Sequence, residues 1–245
     1  MEINQYPDWK HFSKRASGVI DHIIVHSFAL SIEEMISILN KYKLAPHYMI
    51  DTEGNIIQFV TEDKLAYHAG KSYWKGIENL NETSIGIELQ NMTLGQTSYS
   101  EKQLYSFKKL AENIIKKYNI QPYNIIGHSD IAPTRKVDPG RSFPWSDMAK
   151  HGIGLWTDNV IKNKNVNIKS LLQQIGYDVS NERAALYAFI RHFIPSEIPT
   201  DEDIYAMEEN LLQNAERYHI NNDLILGRLA SVAELYKKHR MHFGS

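Results

Sequence analysis

The residues best suited to chemistry in this sequence are two histidines and an aspartate, each close to a predicted strand end. His26 closes the β-branched run 20–25, which is typical of a buried strand, and His128 closes a second short run. Asp138 follows in the loop after His128. Two imidazoles and one carboxylate are a usual ligand set for a catalytic zinc ion, with one position left for water. The pattern indicates a zinc site, although histidines that only hydrogen-bond within the fold would fit the same spacing.

Two further residues could assist such a metal. The predicted strand 84–90 alternates in polarity, with its large apolar residues on one face and Glu88 on the other. Zinc lowers the pKa of a bound water from about 15.7 to about 7, which makes hydroxide available at neutral pH. Glu88 could hold that water or accept its proton, and the cation Lys136 could stabilise a developing oxyanion. The predicted chemistry is therefore hydrolysis.

Composition excludes several classes of protein. The chain of 245 residues contains no cysteine, so a disulfide framework, a thiolate nucleophile and cysteine-bound zinc are all excluded. The formal net charge of -2 argues against a nucleic-acid-binding protein that works through a broad basic surface. No apolar run approaches the roughly 18 to 20 residues of a membrane-spanning helix. The first residues also lack the apolar segment of a secretory signal.

The elements around these residues predict an α/β fold. Helices are expected over 31–43, where Ser31 and Glu34 form a capping box, and over 100–118, which Ser100 opens. The segment 52–55 separates two short strands and is typical of a hairpin turn. Strands that alternate with helices predict a mixed central β-sheet flanked by helices.

The second part of the chain has a different character. The polar, Asn-rich stretch 158–167 is predicted to be a linker between a domain over 1–157, which carries the candidate site, and a small all-α domain over 168–245. Three apolar stripes at helical spacing support that second domain. They consist of Leu186, Phe189, Ile190 and Phe193, then of Ile204, Met207, Leu211 and Ala215, and finally of Ile225, Leu229, Val232 and Tyr236.

Five blocks of sequence, in a fixed order, carry a resemblance to a known family. They are Asp-His-Ile-Ile-Val-His-Ser (21–27), His-Tyr-Met-Ile-Asp (47–51), Ala-Tyr-His-Ala-Gly (66–70), Leu-Asn-Glu-Thr-Ser-Ile-Gly-Ile-Glu-Leu (80–89), and the segment from Gly-His-Ser-Asp-Ile-Ala-Pro through Arg-Lys-Val-Asp-Pro-Gly to Phe-Pro-Trp (127–145). Their order and spacing resemble the zinc-dependent N-acetylmuramoyl-L-alanine amidases of the AmpD and AmiD family, which also includes T7 lysozyme and the peptidoglycan recognition proteins. The match covers about residues 15 to 150 and is closest to the AmiD-like branch.

The resemblance implies a reaction and the residues that perform it. Such enzymes hydrolyse the amide between N-acetylmuramic acid and L-alanine, so the expected partner is peptidoglycan or a muropeptide and the expected cofactor is one Zn²⁺ per chain. By position, His26, His128 and Asp138 match the zinc ligands. Glu88 matches the catalytic glutamate, and Lys136 matches the lysine two residues before the third ligand.

Further residues are expected near the substrate. His68, in the family's His-Ala-Gly turn, is expected to line the groove, and Trp74 to flank it together with Tyr73. His47 is grouped with them, although we expect it to pack under the site rather than to bind metal. The residues from 168 onward are similar to the helical peptidoglycan-binding-like domain of AmiD proteins. This predicts a wall-binding role, and the alternative is a helical cap that only supports the catalytic domain.

Two other functions remain open. One is a non-catalytic module that recognises peptidoglycan, and the other is a zinc peptidase of different specificity. Filled ligand and catalytic positions favour the amidase. The substrate class favours a location facing the cell envelope, periplasmic or secreted. The lack of a signal sequence in this chain makes cytoplasmic recycling of muropeptides the alternative.

Overall fold

The computed structural model describes residues 2–162, 167–198 and 221–243. A six-stranded sheet forms its centre, in the order β1-β5-β4-β9-β3-β10, and β2-β6 and β7-β8 form two small two-stranded sheets. In the central sheet β4 and β5 are antiparallel, whereas the other neighbouring strands are parallel. The strands are Ile3–Gln5 (β1), Phe12–Lys14 (β2), His22–Phe28 (β3), Tyr48–Ile50 (β4), Ile56–Gln58 (β5), Lys64–Ala66 (β6), Tyr73–Trp74 (β7), Ile77–Glu78 (β8), Ser84–Gln90 (β9) and Ile125–Gly127 (β10).

Helices cover both faces of the central sheet, which confirms the predicted mixed α/β fold. The helices of the described residues are Ile32–Tyr42 (α1), Glu101–Tyr118 (α2), His128–Ile131 (α3), Trp145–Ala149 (α4), Ile168–Ile175 (α5), Glu182–Phe193 (α6) and Asn222–Phe243 (α7).

The two central strands, β3 and β9, are buried on both faces. On one face Ile23, Val25 and Ile87 pack in a cluster with Phe107 and Leu110 of α2. On the other face Ile24 belongs to a different cluster, which includes the C-terminal helices. A shift of register by one residue would exchange these two faces, so burial fixes the register of both strands.

The sequence predicted the first two long helices closely. Ser31 caps α1, with the reciprocal bond from its backbone N–H to the Glu34 carboxylate, and this confirms the predicted capping box. Ser100 caps α2 by accepting a hydrogen bond from the Gln103 backbone N–H. The predicted hairpin is also present, since β4 and β5 pair across 51–55.

The C-terminal helices share a hydrophobic core with the sheet. Leu172 of α5, Phe189 of α6 and Leu229 of α7 are all buried in the cluster that contains Ile24 and Trp74. The stripes over 186–193 and 225–236 are buried as predicted, and the stripe over 204–215 lies outside the described residues. The start of the predicted linker contacts this region, because the Ile161 backbone N–H donates to the Gly227 carbonyl. The division at 158–167 stays a prediction. None of the described helices is long and apolar enough to cross a bilayer.

Candidate metal centre and active site

Adjacent strands place the first ligand candidate beside the candidate base. His26 of β3 and Glu88 of β9 are direct partners in the parallel ladder, so both side chains leave the sheet on the same face. The strand continues past His26 to Phe28 rather than ending at the histidine. His26 is 1% exposed and Glu88 is 9% exposed. The sheet therefore fixes both positions.

A tight turn supplies the other two ligand candidates. β10 ends at Gly127, and His128 begins the single turn α3 within a segment that was predicted to be a loop. The Ser129 backbone N–H donates to the Asp138 carbonyl at 2.8 Å, which holds the two parts of this segment together. The His128 and His26 Nδ1 atoms lie 3.0 and 3.4 Å from Asp138 Oδ2. The two Nδ1 atoms are 2.9 Å apart.

A chain of hydrogen bonds fixes which nitrogen of His26 carries the proton. The Ser84 hydroxyl donates to the Leu80 carbonyl, which can only accept, so Ser84 Oγ accepts from His68 Nε2 at 3.2 Å. His68 Nδ1 is then an acceptor, and His26 Nε2–H donates a hydrogen bond to it at 2.9 Å. His26 Nδ1 is left with a lone pair that faces the candidate metal centre, the point between His26, His128 and Asp138.

A backbone carbonyl has the same effect on His128. Its Nε2 donates to the Ala69 carbonyl at 3.2 Å, so its Nδ1 also presents a lone pair. Two lone pairs and the Asp138 carboxylate thus converge, with ligand atoms within 4.8 Å of one another and all three residues buried. Burial and the neighbouring His128 lower the pKa of His26 to about 4. Its imidazole is therefore uncharged at neutral pH and carries no positive charge to offset the Asp138 carboxylate. The donor set fits a divalent cation with nitrogen and oxygen ligands.

Gly86 makes room for the chain of hydrogen bonds behind His26. A Cβ atom at position 86 would lie 2.4 Å from Cγ and Nδ1 of His68. This distance is far below van der Waals contact, so the His68 ring can occupy its place only because residue 86 is glycine.

Glu88 is a buried carboxyl group directly beside the centre. Its Oε1 lies 3.9 Å from His26 Nδ1, and its Oε2 has no hydrogen-bond partner among the described residues. Burial and the nearby Asp138 raise the pKa of Glu88 to about 8, and the positive charge of Lys136 acts in the opposite direction. A bound cation would favour the ionised carboxylate further. The group is suited to exchange a proton near neutral pH.

A cavity of about 440 Å³ opens over the centre. His68, Glu88, His128, Lys136 and Asp138 contribute polar groups to it. Much of the remaining lining forms an apolar wall, to which α1 supplies Met35, Ile38 and Leu39. That wall consists of Phe28, Leu30, Met35, Ile38, Leu39 and Leu44.

Trp74 lies away from the groove that it was expected to flank, whereas His47 packs under the site as expected. Trp74 is fully buried and packs edge-to-face on Tyr177 with ring centroids 5.1 Å apart, so it belongs to the core under the C-terminal helices rather than to the groove. His47 is also fully buried and lies under the site, where its Nδ1 accepts from the Gly86 backbone N–H at 3.1 Å. Tyr73, next to Trp74, lines a neighbouring cavity of about 550 Å³.

Sequence reasoning missed the groups that orient the ligands. The Ala69 carbonyl belongs to the backbone and has no signature of its own in the sequence. Ser84 lies beneath the site because β9 begins there. Asp130, which accepts a hydrogen bond from the Gly127 backbone N–H at 2.8 Å, lies inside a quoted block but received no role. Its position two residues after a ligand candidate was the only available signal.

Comparison with known proteins identifies the family. Residues 16–141 match the family model described as N-acetylmuramoyl-L-alanine amidase. The chain is 32% identical to the amidase AmiD of Escherichia coli (strain K12) over 240 residues, which cover 84% of this chain and 87% of AmiD.

Solved structures agree with the sequence match. AmiD from E. coli, in complex with the substrate anhydro-N-acetylmuramic acid-L-Ala-D-gamma-Glu-L-Lys, superposes with a TM-score of 0.70 at 30% identity, over 89% of this chain and 90% of that one. AmpDh3 of Pseudomonas aeruginosa, in complex with anhydromuramic pentapeptide, superposes with a TM-score of 0.72 at 26% identity, over 94% of each chain. The resemblance seen in the sequence is confirmed, and the chain belongs to the family of N-acetylmuramoyl-L-alanine amidases.

Proposed function

We propose that this chain hydrolyses the amide bond between N-acetylmuramic acid and L-alanine in peptidoglycan or muropeptides, with one Zn²⁺ bound by His26, His128 and Asp138. Family membership supports the reaction, since the relatives are amidases of this name. The observation that carries the proposal is the convergence of two imidazole lone pairs and a buried carboxylate on one point.

The hydrogen bonds behind the histidines support the metal assignment. Each second nitrogen already donates to a partner, His26 to His68 and His128 to the Ala69 carbonyl. Metal-binding histidines usually have such partners, which fix the tautomer and the ring orientation. When bound, zinc would act as a Lewis acid that acidifies water and polarises the substrate carbonyl.

Glu88 would serve as the proton carrier. Its carboxylate lies beside the centre without a hydrogen-bond partner at Oε2 among the described residues, so it is free to accept a proton from the attacking water. The pKa of Glu88 is raised to about 8 in the metal-free chain, and a bound cation would lower it. The carboxylate could then accept that proton and return it to the leaving amine of L-alanine. This role needs no further acid in the site.

Lys136 would stabilise the negative charge that develops on the substrate carbonyl oxygen. Its side chain lines the cavity beside Glu88 and Asp138. A fixed cation in a partly buried site is effective there because little water remains to screen it. His68 would contribute to the groove as well as orienting His26, since its partly exposed ring lines the same cavity.

The substrate class follows from the relatives. The AmiD and AmpDh3 complexes contain anhydromuramyl peptides, and we propose that the cavity over the centre accepts the corresponding amide in this chain. The apolar wall from α1 would pack on the lactyl and alanyl methyl groups. This substrate favours an envelope-facing location, and the alternative is cytoplasmic recycling of muropeptides.

Product analysis by mass spectrometry tests the proposal. Intact sacculi and soluble anhydro-muropeptides are incubated in parallel with the native protein, the chelated protein and the protein resupplied with zinc. We expect free stem peptides that begin with L-alanine, that disappear on chelation and that return with zinc. Binding without cleavage, by protein shown to hold one zinc per chain, would overturn the amidase proposal and favour a recognition module. Cleavage within the stem peptide would instead show a peptidase.

A further inference from the structure

The turn that carries His128 is too short to hold itself in place. α3 comprises only His128–Ile131, and a single isolated turn is unstable in water. Its orientation must therefore come from contacts with the rest of the fold.

The Asp130 carboxylate makes those contacts. Its Oδ2 accepts from the Gly127 backbone N–H at 2.8 Å, which closes the chain around His128. The same oxygen accepts from His192 Nδ1 at 2.8 Å, and Oδ1 accepts from the Tyr177 hydroxyl at 2.7 Å. Two of these three donors belong to the C-terminal helical region, since Tyr177 follows α5 and His192 lies on α6.

All members of this network are buried. Asp130 and Tyr177 are each 1% exposed and His192 is 3% exposed. Hydrogen bonds between buried groups cannot be replaced by water, so the loss of one donor leaves the carboxylate undersatisfied. Burial and the Asp130 charge raise the pKa of Tyr177 well above its ordinary value, which keeps its hydroxyl protonated as a donor.

The His192 ring is itself fixed by the catalytic half of the molecule. It stacks on Trp145 with ring centroids 4.1 Å apart and an interplanar angle of 15°. The C-terminal helices and the loop after β10 thus hold each other through aromatic packing as well as through the carboxylate.

We propose that the C-terminal helices position the metal ligand His128, with Tyr177 and His192 acting as positioning residues through Asp130. The inference rests on the proposed metal site. It gives the helical region a part in catalysis that does not require it to bind the cell wall. A shift of α3 would move His128 Nδ1 relative to Asp138 and His26 and would weaken metal binding.

The decisive variant is Tyr177→Phe, which removes only the hydroxyl. Tyr236→Phe is a matched control, because Tyr236 is a buried tyrosine of the same core whose hydroxyl has no hydrogen-bond partner among the described residues. Zinc affinity of the full chain is measured by competition with a chromophoric chelator, and thermal unfolding of the metal-free protein is recorded in parallel. Groups that hydrogen-bond a metal ligand directly typically contribute about 10- to 100-fold to metal affinity. Tyr177 acts one step further away, through Asp130, so we expect a loss at the lower end of that range, about tenfold, in Tyr177→Phe and none in Tyr236→Phe.

A second pair of variants tests His192. In His192→Leu the donor is lost, whereas in His192→Asn the side-chain amide can still donate from near the position of Nδ1. We expect zinc affinity and turnover to fall in the first variant and to be largely restored in the second. A purely structural role would lower the unfolding temperature without changing zinc affinity.

The outcomes separate this inference from the proposed function. Wild-type affinity in Tyr177→Phe, or an equal loss in Tyr236→Phe, would overturn the positioning role while the metal site stands. Failure of the wild-type chain to bind zinc would overturn both. If His192→Leu does not fold, the comparison of the two tyrosine variants decides alone.

Discussion

His26 and His128 point at the same centre, but the molecule supports them in different ways. His26 lies within a seven-residue strand between two parallel neighbours, and backbone pairing with β9 and β10 fixes its position. His128 lies on a single helical turn, and a buried carboxylate with donors from distant parts of the chain fixes that turn. Backbone hydrogen bonds position a ligand on a strand of the sheet, whereas a ligand on a single helical turn depends on side chains for its position.

The largest effect is expected when either histidine is removed, and it should be the same for both despite their different supports. His26→Ala and His128→Ala should both abolish stoichiometric zinc binding and turnover, because a site with three protein ligands then retains only two. Metal analysis after dialysis and product analysis on muropeptides measure the effect. His151→Ala removes a partly exposed surface histidine that lies 3.7 Å from Glu112 and should keep both properties. Normal zinc content in either ligand variant would contradict the assignment of that ligand.

The next effect separates metal binding from catalysis. Glu88→Gln should retain zinc, since Glu88 is not among the three converging ligands, but should slow hydrolysis by roughly 10² to 10⁴, the usual range for a general base. Single-turnover rates at saturating substrate are compared with the zinc content of the same preparation. Full activity in zinc-loaded Glu88→Gln would show that another group accepts the proton.

A smaller effect is expected from the support behind His26. His68→Leu removes the acceptor for His26 Nε2, and we expect zinc affinity to fall by about 10- to 100-fold. In His68→Asn an amide oxygen can accept the same proton, so much of the affinity should return. Equal affinity in the wild type and both variants would mean that the strand alone orients His26, which would sharpen the contrast with His128.

The last prediction concerns the stability of the metal-free protein rather than zinc binding or turnover. The pKa of Glu88 is raised from its ordinary 4.5 to about 8 in the folded chain, so across this window the unfolded state binds fewer protons. Its contribution to stability is fully present below pH 4.5 and is lost as the pH rises toward about 8, by at most roughly 1.4 kcal/mol per pH unit.

Glu88→Gln removes this dependence. In metal-free protein, the free energy of unfolding of the variant relative to the wild type should therefore increase between about pH 5 and about pH 8. Urea unfolding at both pH values measures the difference. A difference that is the same at both pH values would show that Glu88 titrates normally in the folded protein.

The same contrast explains what could be predicted from the sequence. The strand that carries His26, the alternation that turns Glu88 away from the apolar face, and the caps of α1 and α2 all follow from local patterns of residues. Tyr177 and His192 lie 47 and 62 residues from Asp130 along the chain, and no local pattern indicates that they meet it. Trp74 was expected to flank the groove, but the core that the sheet shares with the C-terminal helices buries it.

The most direct test of the central claim is anomalous diffraction at the zinc edge from crystals of the zinc-loaded protein. We expect one strong peak per chain, at about 2.0 to 2.2 Å from Nδ1 of His26, Nδ1 of His128 and a carboxylate oxygen of Asp138. The hydrogen bonds from His26 Nε2 to His68 and from His128 Nε2 to the Ala69 carbonyl should be unchanged. A peak bound through Nε2 of either histidine, or no peak between these residues in protein that cleaves the substrate, would contradict the account.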